Sequence, residues 1–391
     1  MKYLHICNDG PFIDFVIEQF ETVNPGNNVF LIVLSSPASS PRHVSSNGNI
    51  VTTFKNHPDF YKSIFKYQYD VLAIHFLDFN KADLVIKAPK NKKLLWFAWG
   101  ADVYETGFFK RQLLLPYTRE IIKKVSNERS MITKAKNIFR TPFYLARGQL
   151  SPALKYKKAI RRIDFCATVI PDEIHLLKTL YFFHAMQVPF SYASVENDFK
   201  REDFKDIFCN GNGIIVGNSN APTSNHVDCF YEVKAKSAIE RKIFTPLNYH
   251  NYEKYTKLVI ENGVKMFGNN FVPVTDFLPK NGYIELLQQC NMAIFAHERQ
   301  QALGNILIML WLGIKVFLSE KNVIYEFFKN KGAAIFSLQA DLNEYTLNEP
   351  LRKEQVLINR EILMQEYSTD SVLKKASELI NIINRNEHVN L

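Results

Sequence analysis

At 391 residues the chain is long for a single hydrophobic core, so two domains are expected, and 47% hydrophobic with 22% charged residues excludes a disordered chain. The longest uninterrupted apolar run, Ile306 to Ile314, spans nine residues where a bilayer crossing needs about 20, which excludes a membrane-spanning helix. The formal net charge of +9 is uneven: Lys110 to Arg162 holds fifteen Lys and Arg against Glu120 and Glu128, a net +13 that leaves −4 for the remainder.

Residues Lys2 to Cys7 read as a strand followed by a turn, which leaves no room for an N-terminal signal. Phe12 to Phe20 has apolar residues at helical spacing, and Val29 to Leu34 is a second strand. Ser35 to Asn49, rich in Ser, Pro and Asn, is an exposed loop. Val71 to His75 and Leu94 to Ala98 are further strands with a helix between them, and this alternation indicates a parallel sheet. Within the basic segment, Arg119, Ile121, Ile122, Lys123 and Lys124, and later Phe139, Phe143, Tyr144 and Leu145, mix apolar groups with cations. Such segments lie on anionic membranes, each Lys or Arg near the surface contributing on the order of 1 kcal/mol. A solvated basic face is the plainer alternative. No nucleic-acid-binding motif accompanies the charge, and no nucleic acid partner is expected.

Ile163 to Val169 is another buried strand, and Asp172 to Thr179 starts a helix. Regularity lapses from Val188 to Asn212, the candidate linker. Alternation then restarts with strand Gly213 to Val216, helix His226 to Ile239, strand Lys242 to Thr245 and helix Tyr252 to Asn262. Strand Met292 to Ala296, a helix from Leu303 and strand Ile314 to Leu318 follow, and Ser371 to Ile383 is a last long helix. The expected domains are 1–195, carrying the basic helices, 205–366, and a 367–391 helix returning toward the first. Two α/β halves facing each other across a linker make a cleft for a two-part substrate. Five cysteines (Cys7, Cys166, Cys209, Cys229, Cys290) lack CxxC or other ligand spacing, and read as buried reduced thiols of a cytoplasmic protein.

Loops at strand ends carry the candidate chemistry. In Arg299-Gln300-Gln301-Ala302-Leu303-Gly304-Asn305, Gly304 lets the backbone approach a ligand where a helix begins. Free N–H groups and the helix dipole there suit a phosphate, which Arg299 can grip bidentately; an ordinary core helix is the plainer alternative. In Trp99-Gly100-Ala101-Asp102-Val103-Tyr104, the Gly-Ala turn presents Asp102 as a base or hydroxyl-binding carboxylate, or as a helix cap. Val216-Gly217-Asn218-Ser219-Asn220, before Asn225-His226, offers N–H and hydroxyl groups to wrap a phosphate. Pro246-Leu247-Asn248-Tyr249 offers a tyrosine to stack on a base or sugar. His75 ends its strand, where a lone histidine is either structural or catalytic.

Taken together and in order, WFAWGADVYE, VGNSN with NHV, PLNY and RQQALGNI resemble glycosyltransferase family 56 from about Lys2 to Leu318. Ala302, where a glycine is expected, and His297-Glu298, which reads as an insertion, depart from the pattern. The resemblance implies an α/β GT-B fold of two Rossmann-like domains facing across a cleft. It implies TDP-4-acetamido-4,6-dideoxy-D-galactose:lipid II transfer, as in enterobacterial common antigen assembly, by a protein peripheral to the cytoplasmic face of the inner membrane. The implied partners are a TDP-sugar, an undecaprenyl-diphosphate-linked glycan and the anionic membrane surface. Carried onto this chain, Gly217, Asn218, Ser219, Asn248, Tyr249, Arg299, Gln300, Gly304 and Asn305 hold the donor. Trp99, Asp102, Tyr104 and His75 face the acceptor, with the base, Asp102 or His75, left open.

No DxD motif sits at a strand end, so the expected enzyme needs no metal or other cofactor: Arg299, helix N–H groups and Ser219 neutralise the leaving diphosphate. A non-catalytic sugar-nucleotide or glycan-binding protein is the alternative in another class, and a nucleotide-sugar epimerase is a third.

Overall fold

The computed structural model describes residues 1–34, 36, 39–45, 48–54, 60–104, 113–127, 150–198, 208–236, 241–248 and 252–386. They divide into two compact units, one within Met1–Gly107, Asn137–Asn197 and Glu366–Leu391, the other within Phe108–Lys136 and Asp198–Gln365.

The first unit is built on seven strands: β1 (Tyr3–Asn8), β2 (Asn28–Leu34), β3 (Ile50–Phe54), β4 (Val71–His75), β5 (Lys93–Ala98), β6 (Phe165–Thr168) and β7 (Met186–Gln187). They lie parallel in the order β3-β2-β1-β4-β5-β6-β7. β4 and β5 are buried at every residue, which is why they read as unbroken apolar runs: a sheet covered on both faces has no polar side to alternate with. Helix Ile13–Val23 turns Ile13, Val16, Ile17 and Phe20 into this core. Against it packs helix Thr369–Arg385, giving Leu379, Ile380 and Ile383 to the same cluster. Ser368 caps that helix, and Glu196 accepts hydrogen bonds from the Thr369 N–H (2.8 Å) and hydroxyl (3.2 Å). At its other end the buried Lys93 ammonium donates to the Ile383 carbonyl at 2.6 Å, a cation on the negative end of the dipole.

The second unit has six parallel strands, β8 (Gly213–Val216), β9 (Ile243–Pro246), β10 (Phe271–Val274), β11 (Cys290–Phe295), β12 (Lys315–Leu318) and β13 (Phe336–Ser337), in the order β10-β9-β8-β11-β12-β13. Helix Leu303–Leu312 between β11 and β12 is apolar on nearly every side because eight of its ten residues are buried.

Helix Pro116–Asn127, inside the stretch expected to belong to the first domain, packs on the second unit. The Asp228 carboxylate accepts the N–H groups of Tyr117 and Thr118, and Asn225 bonds the Leu115 N–H and the Leu113 carbonyl. Tyr117 stacks on Tyr231 at 3.9 Å, and Ile121 enters the core with Val227 and Phe230. Its apolar side is therefore occupied by protein, and its exposed side carries Arg119, Lys123 and Lys124 with Glu120, which pairs with Lys124 at 3.2 Å. Lys110, Phe139, Phe143, Tyr144 and Leu145 lie outside the described residues. No helix among the described residues is long and apolar enough to cross a membrane. All five cysteines are buried and unpaired.

Candidate active site

In each sheet the order reverses once, between β1 and β4 and between β8 and β11. The crevice beyond the carboxyl ends of such strands is where open α/β sheets bind ligands, because neighbouring loops diverge to opposite faces there. Most of the candidate residues stand at these two places, or one strand away. Four described non-glycine residues have positive φ, and three of them (Phe76, Asn225 and Ala302) flank these same strand ends, where strain is held for a purpose.

In the first unit, β4 ends at His75 and the chain turns through Phe76 at φ 61°. The buried Lys81 ammonium holds this turn by donating to the carbonyls of His75 (2.7 Å) and Phe76 (3.0 Å) and to Asn8 Oδ1 (2.9 Å), which ends β1. Asp102, 2% exposed, clasps the next loop: Oδ2 accepts the Leu77 N–H (2.8 Å) and the Trp96 indole N–H (2.9 Å), and Oδ1 accepts the Trp99 N–H (2.9 Å). Burial raises its pKa to about 6, against the pull of those donors. With its oxygens so engaged, the carboxylate fixes the loops after β4 and β5 instead of standing open to a substrate. Tyr104, on the same short helix Ala101–Tyr104, is buried.

His75 and Trp99, by contrast, line a cavity of about 140 Å³ with Asn8, Gly10, Phe12 and Ile13. Trp99 stacks on Tyr192 at 5.0 Å and on Phe12 at 5.9 Å. The His75 ring lies flat on Phe97 at 4.3 Å, and its Nε2 meets His5 Nδ1 at 3.0 Å. Burial, then the neighbouring His5 and Lys81, hold the His75 pKa well below 6.5, so the ring is neutral. His75 Nδ1 and Trp99 Nε1 are buried and have no hydrogen-bond partner among the described residues.

In the second unit, β8 runs into Gly217 at φ 72°, where an added Cβ would stand 2.6 Å from His226 Nε2; only glycine fits. Asn218 Oδ1 accepts from Gln301 Nε2 (3.2 Å), and Thr223 donates to Gln301 Oε1 (2.7 Å), so Gln301 ties the loop after β8 to the loop after β11. Ser219 and Asn220 are buried in that first loop, and Asn225 Nδ2 donates across to the Ala296 carbonyl at 2.7 Å. Beyond β11 come His297, Arg299 and Gln300, all buried, with Arg299 Nη1 donating to the Gln300 carbonyl at 2.8 Å. Helix Leu303–Leu312 then begins without a side-chain cap, at Ala302 with φ 65°. Around Gly304 no atom lies within 4 Å of where a Cβ would be, and Asn305 follows on the first turn. Backbone N–H groups, the positive end of the dipole and a guanidinium are thus gathered at one strand end, a composition suited to a diphosphate.

Asn248 is set apart, after β9, with its amide donating to the Asp276 carbonyl. Tyr249 lies outside the described residues. Not selected from the sequence were His5, buried inside β1, Phe12, which joins Trp99 at the cavity, and Gln301, whose neighbour Gln300 was chosen instead. Gln301 stood in a motif already singled out; His5 carried no signal, because its partner is 70 positions away.

A family model described as 4-alpha-L-fucosyltransferase glycosyl transferase group 56 matches residues 171–369. Among solved structures, sucrose-phosphate synthase from Thermosynechococcus elongatus superposes with a TM-score of 0.67 at 10% identity, covering 98% of this chain and 99% of that one. Anabaena HepE in complex with UDP gives 0.61 at 8% identity, covering 98% and 100%. A glycosyltransferase from Rickettsia africae gives 0.58 at 12% identity, covering 99% and 100%. These likenesses concern the fold, two parallel-sheet Rossmann-like domains of the GT-B class.

Proposed function

This chain belongs to the 4-alpha-L-fucosyltransferase family, glycosyl transferase group 56, and from that premise we propose a donor, an acceptor and a place for its reaction. It is a glycosyltransferase of the GT-B fold. The proposed donor is a TDP-sugar carrying a 4-acetamido-4,6-dideoxy hexose. The proposed acceptor is an undecaprenyl-diphosphate-linked glycan at the cytoplasmic face of a bacterial inner membrane, in surface-polysaccharide assembly. A nucleoside diphosphate donor is supported by HepE, whose structure holds UDP.

One observation carries the donor assignment: the uncapped start of Leu303–Leu312 beside Arg299, at the reversal point of the second sheet. The diphosphate takes the helix N–H groups and Arg299, with Gly217, Asn218 and Ser219 alongside. These groups answer the charge that develops on the leaving diphosphate, so the reaction needs no metal. The acceptor oxygen attacks the anomeric carbon, the bond from that carbon to the phosphate oxygen breaks, and its electron pair leaves with TDP. The hydroxyl proton passes to His75. Asp102 positions the loops that carry His75 and Trp99, and Trp99 and Tyr104 bound the acceptor.

Arg299→Ala tests the donor site. Losing a charge-assisted contact worth roughly 1.5–3 kcal/mol weakens TDP binding by about 10- to 100-fold, read by calorimetry. Equal affinity in variant and parent would overturn the placement of the diphosphate.

A further inference from the structure

Three features at the end of β4 run against local preference, and all three meet at the acceptor cavity. Phe76 stands at φ 61°, a conformation that a bulky L-residue avoids and that glycine takes freely. Lys81 is 2% exposed, so its ammonium has lost its water, a cost that hydrogen bonds only partly offset. It also stands in the first turn of helix Phe79–Lys87, at the positive end of the dipole, where a cation is disfavoured. A glycine at position 76 would take the same turn without strain and without a buried cation to hold it. Local rules broken together at one place mark a functional constraint.

The partners of the ammonium show what is secured. Asp78 caps the helix by accepting the N–H groups of Asn80 (2.9 Å) and Lys81 (2.8 Å), which fixes the backbone from which Lys81 reaches back. Its ammonium donates to the His75 and Phe76 carbonyls and to Asn8 Oδ1, and lies 5.9 Å from the centroid of the Phe76 ring. Asn8 ends β1 and His75 ends β4, the two strands that flank the reversal point, so one side chain ties both ends. The Phe76 N–H donates in turn to the Phe97 carbonyl of β5 at 3.2 Å. Asn8, His75 and Phe76 are three of the seven residues that line the cavity. Lysine suits the place because three N–H groups on one tetrahedral centre can serve three oxygens at once.

We propose that Lys81 is a positioning residue for the acceptor: by holding Asn8, His75 and the left-handed turn at Phe76 together, it sets the spacing between the two walls of the cavity, Asn8 to Ile13 on one side and His75 to Phe76 on the other. The role rests on the acceptor-side reading of that cavity given above. Lys81 itself touches no substrate and acts through the three residues it binds.

The test has a structural and a kinetic arm. Lys81→Met keeps the length of the side chain and loses all three donors. In its crystal structure Phe76 should leave the left-handed region and Asn8 should move away from His75; an unchanged turn and unchanged walls would overturn the clamp, whatever the enzyme's activity. With the TDP-sugar and undecaprenyl-diphosphate-linked glycan proposed above, Lys81→Met should lower kcat/KM for the acceptor by about 10- to 100-fold, the scale of a displaced binding group, with KM for the donor and TDP affinity unchanged. Equal rises in both KM values would show a general loosening and overturn the role. Should Lys81→Met fail to fold, the Asn8 pair decides. Asn8→Ala removes the β1 tie alone and should raise the acceptor KM severalfold, and Asn8→Asp, whose carboxylate still accepts from the ammonium, should recover most of it. Equal losses in both would place the effect at Asn8 itself and overturn the clamp. A parent without turnover on TDP-sugars would count against the proposed function alone, since the crystal structure reads the clamp directly.

Discussion

Ala302 holds a conformation that L-residues avoid, φ 65° with ψ 22°, at the step where the chain enters the Leu303–Leu312 helix. Left-handed backbone costs a residue with a Cβ roughly 1–2 kcal/mol, and glycine is spared it. Ala302→Gly should therefore raise stability by about 1 kcal/mol, measured as a shift in the urea midpoint, without weakening TDP binding. A lower midpoint would mean that methyl packing outweighs the backbone term. Asp102 is the second informative residue. Asparagine there keeps the shape but turns an NH2 toward at least one of three N–H donors, so Asp102→Asn should displace the loops that carry His75 and Trp99 and lower transfer by roughly two orders of magnitude while nucleotide affinity holds. It should also lower stability by about 1–3 kcal/mol, the cost of a buried donor left unsatisfied. The helix-cap alternative was legible in the sequence, but the reach of this carboxylate to Leu77 and Trp96 was not, since those contacts exist only once β4 and β5 lie side by side.

At the level of elements, legibility followed burial. β4 and β8 have the bounds their sequences suggest, Val71–His75 and Gly213–Val216, because every residue in them is buried and apolar runs have sharp ends. β3 went unseen just after the loop expected at Ser35 to Asn49: Ile50-Val51-Thr52-Thr53-Phe54 is an edge strand with one buried residue, and no run marks it. β10 is the equivalent edge of the other sheet and carries Pro273, a residue that argues against a strand unless the strand is an edge. Helix Pro116–Asn127 was recognised as basic and amphipathic, yet its apolar side serves the second unit's core, so a membrane would meet a charged side on which Arg119, Lys123 and Lys124 outnumber Glu120. Attachment to vesicles should then be electrostatic. Reversing Lys123, Lys124, Lys157 and Lys158 to Glu should abolish sedimentation with anionic vesicles, and salt should release the parent as the Debye length falls from ~10 Å at 0.1 M to ~3 Å at 1 M. Binding to zwitterionic vesicles that ignores salt would contradict this.

For the whole molecule, the buried histidines set the response to acid. Burial lowers His5 and His226 to about 3, and His75 and His297 well below 6.5. The unfolded chain binds protons at these four positions near pH 6.5 and the folded chain does not. Their stabilising contribution is thus present above pH 6.5 and is lost as pH falls toward the folded values, by roughly 1.4 kcal/mol per pH unit for each. Asp102 works the other way: raised to about 6, it favours the folded state below its unfolded pKa and loses that favour as pH rises through 6. Four groups against one leave a net fall on acidification. The urea midpoint should drop steeply between pH 6.5 and 5, and a flat profile would show that these rings reach water.

Helix Thr369–Arg385 has a consequence for the order of events during synthesis. The strands of the first sheet are complete at Gln187, yet the helix that packs on Ile13–Val23 is not made until residues near Ile383 have been added. At ribosomal rates that interval is roughly 10–40 s, during which all six strands of the second unit emerge and have to pair. A nascent chain in that interval leaves the side of Ile13–Val23 that meets Thr369–Arg385 without its cover, so arrested chains ending before Thr369 should be captured by chaperones and cut by proteases within β1 to β7. The part of the protein that begins first is thereby the last to become resistant.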